Sequence, residues 1–199
     1  SRISAVEAGI PVQTPAITVN RLCGSGLEAI VTAARQIQTG ENEVAVAGGA
    51  ESMSQSPYVA KSARWGQRMG DFNMIDAMLA ILNDPFGAGH MGVTAEKVAA
   101  RNNISRQQQD AFAAESQQRA ARAIKEGRFK SQIVAVEIAS RKGTVTFDTD
   151  EYVKGDTTAE SLAGLKPAFQ KDGGVTAGNA SGINDGAAAV ALMSASAAK

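Results

Sequence analysis

The stretch whose reading decides the fold is Val19-Asn20-Arg21-Leu22-Cys23-Gly24-Ser25-Gly26-Leu27-Glu28-Ala29. A low-charge β-type run, Ala16-Ile-Thr-Val-Asn20, enters it. A helical pattern leaves it: Leu27, Ile30, Val31, Ala34 and Ile37 recur at three- and four-residue spacing, with Glu28, Thr32, Arg35 and Gln36 on the opposite face. Cys23 is therefore expected on a strand-to-helix turn, at or just before a helix N-terminus. Unpaired backbone N–H groups and the positive end of the helix dipole favour an anion there. A thiol so placed ionises more readily, and the thiolate is the nucleophile. Gly24 and Gly26 leave room for a bulky acyl group to approach. Against this stands the ordinary fate of a free cysteine, which is to be a buried, inert filler.

Working outward, residues 16–22 read as a buried strand, and the helix runs to about Thr39, where Gly40 caps it. Glu43-Val-Ala-Val-Ala47 reads as a second buried strand, so 16–47 is expected to be a βαβ-type unit with parallel strands. It leads into Gly48-Gly-Ala-Glu-Ser-Met-Ser54, a loop at a strand's C-terminal end, where open α/β sheets bind ligands. Residues 1–9 read as the tail of a helix closed by Gly9 and the turn around Pro11.

From 55 to 173 the character changes, with more charge, more amides and no βα alternation. Helices are predicted at 75–82, 94–102 and 105–126; the last has a capping-box pattern in Ser105 and Gln108 and a terminating Gly127. Residues 133–138 and 144–147 alternate as a strand pair. After Gly173 the chain returns to small, turn-forming residues, Val175-Thr-Ala-Gly-Asn179-Ala-Ser181-Gly-Ile-Asn184-Asp185-Gly186, which feed a predicted buried strand, Ala187–Met193. The expected organisation is a core in 1–54 and 174–199 interrupted by an α+β insertion in 55–173.

Composition narrows the function classes. The chain has 199 residues, 44% of them hydrophobic and 5% aromatic, and no net charge. No basic stripe is present, which argues against nucleic acid as a partner. No apolar run approaches the roughly 18 residues of a membrane span, and no signal-peptide pattern is visible. A single cysteine forms no internal disulfide and fits a reducing compartment, so a cytoplasmic location is expected. One cysteine and one histidine, His90, are too few for a Cys/His zinc site, and no metal is expected. The chain starts at Ser1 inside a helical pattern and stops at Lys199, which suggests an internal piece of a longer protein.

Four islands stand out: Asn20-Arg-Leu-Cys23-Gly-Ser-Gly, Gly48-Gly-Ala-Glu-Ser-Met-Ser54, Gly89-His90-Met91-Gly92-Val-Thr94-Ala-Glu96 and Asn179-Ala-Ser181-Gly-Ile-Asn-Asp185-Gly-Ala-Ala-Ala. In this order, with Arg141-Lys-Gly143 and Asp150-Glu-Tyr152 between them, they resemble the thiolase family along the whole chain. The closest resemblance is to the short-chain biosynthetic type, the acetyl-CoA C-acetyltransferases, mainly because of His90-Met91. It implies a thiolase-like α/β fold: the N-terminal core half, a mixed sheet with helices, carrying a large loop-domain insertion that binds CoA.

The resemblance implies that Cys23 accepts the acetyl group of one acetyl-CoA as a thioester, and that a second acetyl-CoA attacks it to give acetoacetyl-CoA and free CoA. A covalent thioester divides one difficult carbon–carbon bond formation into two easier steps. His90 and Met91 then lie over the pantetheine arm near the acyl pocket. Ser181 hydrogen-bonds the pantetheine chain, with Ala177 beside it. Leu82, Ser161 and Phe169 line the CoA channel, and Lys154 lies near the adenine and phosphate end. CoA arrives on the substrates, so no separate cofactor is implied; family members are homodimers or homotetramers. Each of the binding residues, like Cys23, also has an ordinary structural reading, with Met91 as flexible core filler and His90 as a hydrogen-bonded core or surface residue. The acidic run Asp148–Glu151 reads as a solvated turn.

The family's mechanism also needs a histidine that activates the nucleophile and a second cysteine, both in a C-terminal half bearing Gly-His-Pro and Cys-x-Gly-x-Gly motifs. This chain has neither motif, so that half is expected to be absent and the chain alone inactive. The alternatives are a degradative 3-ketoacyl-CoA or 3-oxoadipyl-CoA thiolase and, from another class, a non-catalytic CoA-binding fragment. A ketoacyl-ACP synthase fits the insertion and Gly-His-Met-Gly less well.

Overall fold

The computed structural model describes residues 1–199. They form two compact units, Ser1–Gln55 with Asn184–Lys199, and Ser56–Ile183. Residues 174–183, read above as part of the returning core, fall in the second unit.

In the first unit, helix α1 (Arg2–Glu7) precedes Gly9, whose φ of 85° turns the chain out of the helix. Helix α2 spans Ser25–Gln38, with Thr39 as its C-cap and Gly40 beyond it at φ 77°. Strand β1 (Val44–Ser52) pairs with the last strand of the chain, β8 (Asp185–Met193), in an antiparallel ladder running from Val44 opposite Met193 to Ser52 opposite Asp185. Helix α2 packs on this two-stranded sheet, and Ala33 and Ala47 are buried there.

Three expectations are corrected. Residues 16–22 form no ladder strand: 16–20 have no regular structure, and Arg21 makes only an isolated bridge with Cys23. The pairing of the long strands is antiparallel, because the neighbour of β1 is β8 and not the segment before Cys23. Nor are the strands buried: Val44 is 54% and Val46 62% exposed, and Val190 and Met193 are exposed as well. Helix α2 covers one part of this two-stranded sheet, and within this chain nothing covers those side chains.

The second unit opens with strands β2 (Tyr58–Val59) and β3 (Ile75–Asp76), paired antiparallel. The helix predicted at 75–82 is shorter, α3 (Ala77–Ile81), because Asp76 caps it by accepting the N–H groups of Met78 and Leu79. Strands β4 (Asn83–Asp84) and β5 (Gly89–His90) form a second small pair. Helix α4 (Met91–Arg101) follows. Helix α5 (Arg106–Lys125) starts in the predicted capping box: Ser105 Oγ accepts the Gln108 N–H while the Gln108 side chain accepts the Ser105 N–H. Strands β6 (Val136–Ser140) and β7 (Gly143–Phe147) make an exposed hairpin, and α6 (Ala159–Ala163) is a short helix.

The core of the second unit is partly polar. Ala99, Ala114, Leu162 and Val175 are buried together with Glu96, Asp110 and Thr176. The glycines of 173–182 are required by close packing. A Cβ on Gly178 would lie 2.5 Å from the methyls of Leu162 and Leu165, and one on Gly182 would lie 2.4 Å from the Tyr152 ring.

Close approach also governs Gly48 in the first unit, where a Cβ would lie 2.5 Å from the Ala188 carbonyl oxygen. Gly48→Ala should therefore push β1 from β8 and cost about 1–3 kcal/mol. Urea unfolding of the variant measures it, with Gly26→Ala, which has open space around its Cβ, as the small-effect comparison.

Candidate functional site

Cys23 is a free, exposed cysteine immediately before α2, whose N-cap is Gly24. The turn that presents it is held from several sides. Asn20 Oδ1 accepts the Leu22 N–H at 2.9 Å, a side chain imitating a backbone turn. Ser25 Oγ accepts the Arg21 N–H at 2.9 Å and donates to the Leu22 carbonyl at 2.6 Å. The Gly24 and Ser25 N–H groups close back on the carbonyls of Arg21 and Leu22. Leu22 is held at φ 48°, in the left-handed region that costs a side-chain-bearing residue on the order of 1–2 kcal/mol. This kink brings the chain sharply round into α2. Arg21 pairs with Glu28 one turn inside the helix at 3.2 Å. The Gly26 and Leu27 N–H groups find no backbone acceptor and leave a partial positive charge at the N-terminus of α2.

Two of the sequence islands meet in the first unit. Asp185, at the start of β8, takes the Ser54 hydroxyl and the Ser54 N–H (2.9 Å), with the Ser52 hydroxyl at 3.4 Å. The Ser54 hydroxyl, then the Ser54 amide, hold the Asp185 carboxyl below its ordinary value. The carboxylate thereby fastens the Ser52–Ser54 end of β1 at the far end of the ladder; the stretch 48–54, expected as a loop, is strand through Ser52 because it pairs with β8. Sequence reading quoted both islands and missed this link, because it depends on the antiparallel register.

In the second unit, Leu82, His90, Met91 and Phe169 are brought together. Asn83 lies opposite His90 in the β4–β5 pair, and the Met91 N–H donates to the Leu82 carbonyl at 2.8 Å. His90 is the N-cap of α4, and its Nδ1 accepts the Gly92 N–H at 3.0 Å. In the neutral imidazole the proton must then sit on Nε2, which makes that nitrogen a donor. The ring stacks on Phe169 with centroids 4.8 Å apart and planes 18° from parallel. Phe169 fits because residue 92 is glycine: a Cβ there would lie 2.3 Å from the Phe169 ring. Met91 is 42% exposed.

Ala177 and Ser181 are exposed on the small-residue turn. Lys154 is exposed, and its backbone N–H donates to Gln117 Oε1 at 2.8 Å. Ser161 has its hydroxyl engaged in the capping box of α6, donating to the Thr158 carbonyl at 2.8 Å and accepting the Thr158 N–H at 3.1 Å. No group of three or more His, Cys, Asp or Glu side chains is arranged to hold a metal ion. No helix is long and apolar enough to cross a membrane.

Comparison with known proteins gives one family. The model of the thiolase N-terminal domain matches residues 1–196. A β-ketothiolase of Cupriavidus necator is 58% identical over 193 residues, which are 96% of this chain and 49% of the relative. The crystal structure of the Bacillus anthracis acetyl-CoA acetyltransferase superposes with a TM-score of 0.93 at 48% identity, covering 99% of this chain and 50% of that one. Human mitochondrial 3-ketoacyl-CoA thiolase in complex with CoA superposes with a TM-score of 0.90 at 43% identity, over 98% of this chain and 49% of that one. The chain thus spans about half the length of the relatives it matches.

Because the Asp185 carboxyl is held low, its contribution to stability is whole above the ordinary aspartate value and is lost as pH falls through the lowered folded value. Asp185→Asn should remove that acid-side loss, so that the unfolding midpoint of the variant varies less with pH below the ordinary carboxylate range. Midpoints for the two proteins across an acidic series, at low salt, check this.

Proposed function

The chain belongs to the thiolase family, through its N-terminal domain, and on that premise we propose that it is the nucleophile-bearing half of an acetyl-CoA C-acetyltransferase. The observation that carries the proposal is the exposed Cys23 on the turn that leads into α2, a helix whose Gly26 and Leu27 N–H groups have no backbone acceptor. The thiolate attacks the carbonyl carbon of acetyl-CoA. The acetyl C–S bond to CoA breaks, CoA leaves as its thiolate, and acetyl-Cys23 remains. A second acetyl-CoA, after losing a methyl proton, attacks that thioester. Acetoacetyl-CoA forms and Cys23 is released; the reverse direction is thiolysis.

The second unit supports a CoA-binding role through its own geometry. His90, with Nδ1 taken by the Gly92 N–H, offers Nε2 as a donor, and the Phe169 ring stacks on it; Leu82 and Met91, joined by a backbone bond, are proposed to add apolar surface for the pantetheine arm. Ser181 and Ala177 present an exposed hydroxyl and a small neighbour for the same arm. Lys154 is placed for phosphate, as a mobile point charge. Ser161 belongs to this set through its position after the α6 cap. CoA enters on the substrates and no further cofactor is required. The protein is read as a homodimer or homotetramer in a reducing, cytoplasmic setting.

Following the family resemblance, we assign the group that takes the methyl proton to the part of the enzyme outside this chain, whose one cysteine and one histidine are Cys23 and His90. The purified 199-residue chain should show no condensation or thiolysis, and turnover by it would overturn that assignment. In the whole enzyme, Cys23→Ala should lower kcat roughly a thousandfold or more. A near-normal kcat in that variant, measured by acetoacetyl-CoA thiolysis, would sink the nucleophile assignment. Thiolysis of acetoacetyl-CoA should also be faster than that of longer 3-oxoacyl-CoA substrates.

A further inference from the structure

Helix α4 carries His90 at its N-cap, Gly92 in its first turn and Glu96 one turn further on. Gly92 and Glu96 lie on one face, and both are buried against the same loop. Gly92 admits the ring of Phe169. Glu96 receives two backbone donors: the Gly174 N–H reaches Oε2 at 2.9 Å and the Val175 N–H reaches Oε1 at 2.8 Å. Residues 167–176 fold back on themselves between these points, with a bridge between Pro167 and Thr176 and the Ala168 N–H on the Val175 carbonyl at 2.9 Å. One carboxylate thus fixes the arm that carries Phe169 on one side and leads to Ala177 and Ser181 on the other.

The next link is as specific. Asn179 Oδ1 accepts the Thr176 N–H at 2.7 Å, while Nδ2 donates to Asp110 Oδ1 and to the Gly174 carbonyl, both at 2.9 Å. Asp110 is in turn held by Arg106 Nε at 2.7 Å. Ordinary packing does not need a buried glutamate. A leucine or methionine at 96 would fill the volume without desolvating a charge, which is costly unless every oxygen is bonded. Glu96 supplies direction: it is an acceptor with two oxygens that fit two successive N–H groups and no other spacing of the loop.

We infer that Glu96 is a positioning residue for the CoA arm: through Gly174 and Val175 it sets the Ala177–Ser181 turn and seats Phe169 against His90, so that removing its charge weakens CoA binding without touching the reacting thiol. The inference rests on the role given above to Ser181 and His90, and goes further by assigning the affinity of those groups to a residue that meets no substrate.

The test is done in the whole enzyme with Glu96→Gln, which keeps volume but turns one acceptor into a donor facing an N–H group. A second variant, Gly173→Ala, displaces the same carboxylate from the other side, since its Cβ would lie 2.1 Å from Glu96 Oε1. Whichever variant folds with a thermal midpoint near that of the parent should raise KM for CoA in thiolysis about tenfold, close to the lower worth of one charge-assisted hydrogen bond. It should leave kcat at saturating CoA within about twofold, and exchange of the Gly174 and Val175 amides should accelerate. Ser181→Ala separates the layers. If it raises KM and the Glu96 and Gly173 variants do not, the positioning role of Glu96 is wrong and the CoA-binding reading stands. If neither it nor they move KM, both fall. A loss of kcat with KM unchanged would also overturn the inference, since that is what a merely structural weakening produces.

Discussion

The first unit depends on the antiparallel ladder between β1 and β8. It joins residues 44–52 to residues 185–193 across the whole second unit. Every other feature around Cys23 is local to it. Helix α2 packs on this ladder, Gly48 is demanded by the close approach of the Ala188 carbonyl, and Asp185 fastens the turn at Ser54 to the ladder's last pair. Without the return of β8, α2 would have one strand to rest on, and the Cys23 turn would lose the rigid element that aims it. Such pairing between distant segments is slow to form and costly in loop entropy. The second unit must bring its two ends near one another, and its own bonded core gives it the means.

That core is unusual in being held by charge as much as by apolar packing. Glu96, Asp110, Asn179 and Arg106 make contacts that each specify a direction, and the bulk of the apolar burial is small: Ala99, Ala114, Leu162 and Val175. Arg106 extends the network to α6 through the carbonyls of Leu162 (2.7 Å) and Leu165 (3.1 Å). A segment of glycines and alanines has little side-chain surface with which to define its own path, so neighbours must define it through its backbone. This is the physical sense of a polar centre beside the stretch from Gly173 to Gly182.

Some of this was legible in the sequence. Local signals carried through: the helix after Cys23 with its Gly40 terminator, the Ser105–Gln108 capping box, Gly127 at φ 69°, and the hairpin around Gly143. These depend on a few neighbouring residues. What depends on distant partners did not carry through. Residues 16–20 have the composition of a strand, yet a strand needs a neighbour, and none in this chain takes their N–H and C=O groups into a ladder. The parallel βαβ reading failed for the same reason: the helix between two apolar runs suggested a crossover, while β8 supplied the actual partner of β1. At the candidate site, the islands that carry Cys23, His90 and Ser181 were distinctive enough to be singled out as proposals. Glu96 stood inside a quoted motif, but its role was hidden, since Gly174 and Val175 are 78 and 79 residues away.

The functional account has one chemical centre, the Cys23 sulfur, and one binding layer built on α4 and the loop that α4 holds. The left-handed Leu22 and the Asn20 and Ser25 bonds shape the turn that bears Cys23, and the Glu96 carboxylate holds the loop that carries Phe169. The most direct measurement of the central claim is mass spectrometry of the enzyme quenched in acid after brief exposure to acetyl-CoA alone, with peptide mapping. The account predicts a gain of one acetyl group, confined to the peptide containing Cys23, lost on addition of CoA and absent from Cys23→Ala. An acetyl group found on another residue, or none on Cys23 in an enzyme that is turning over, would contradict it.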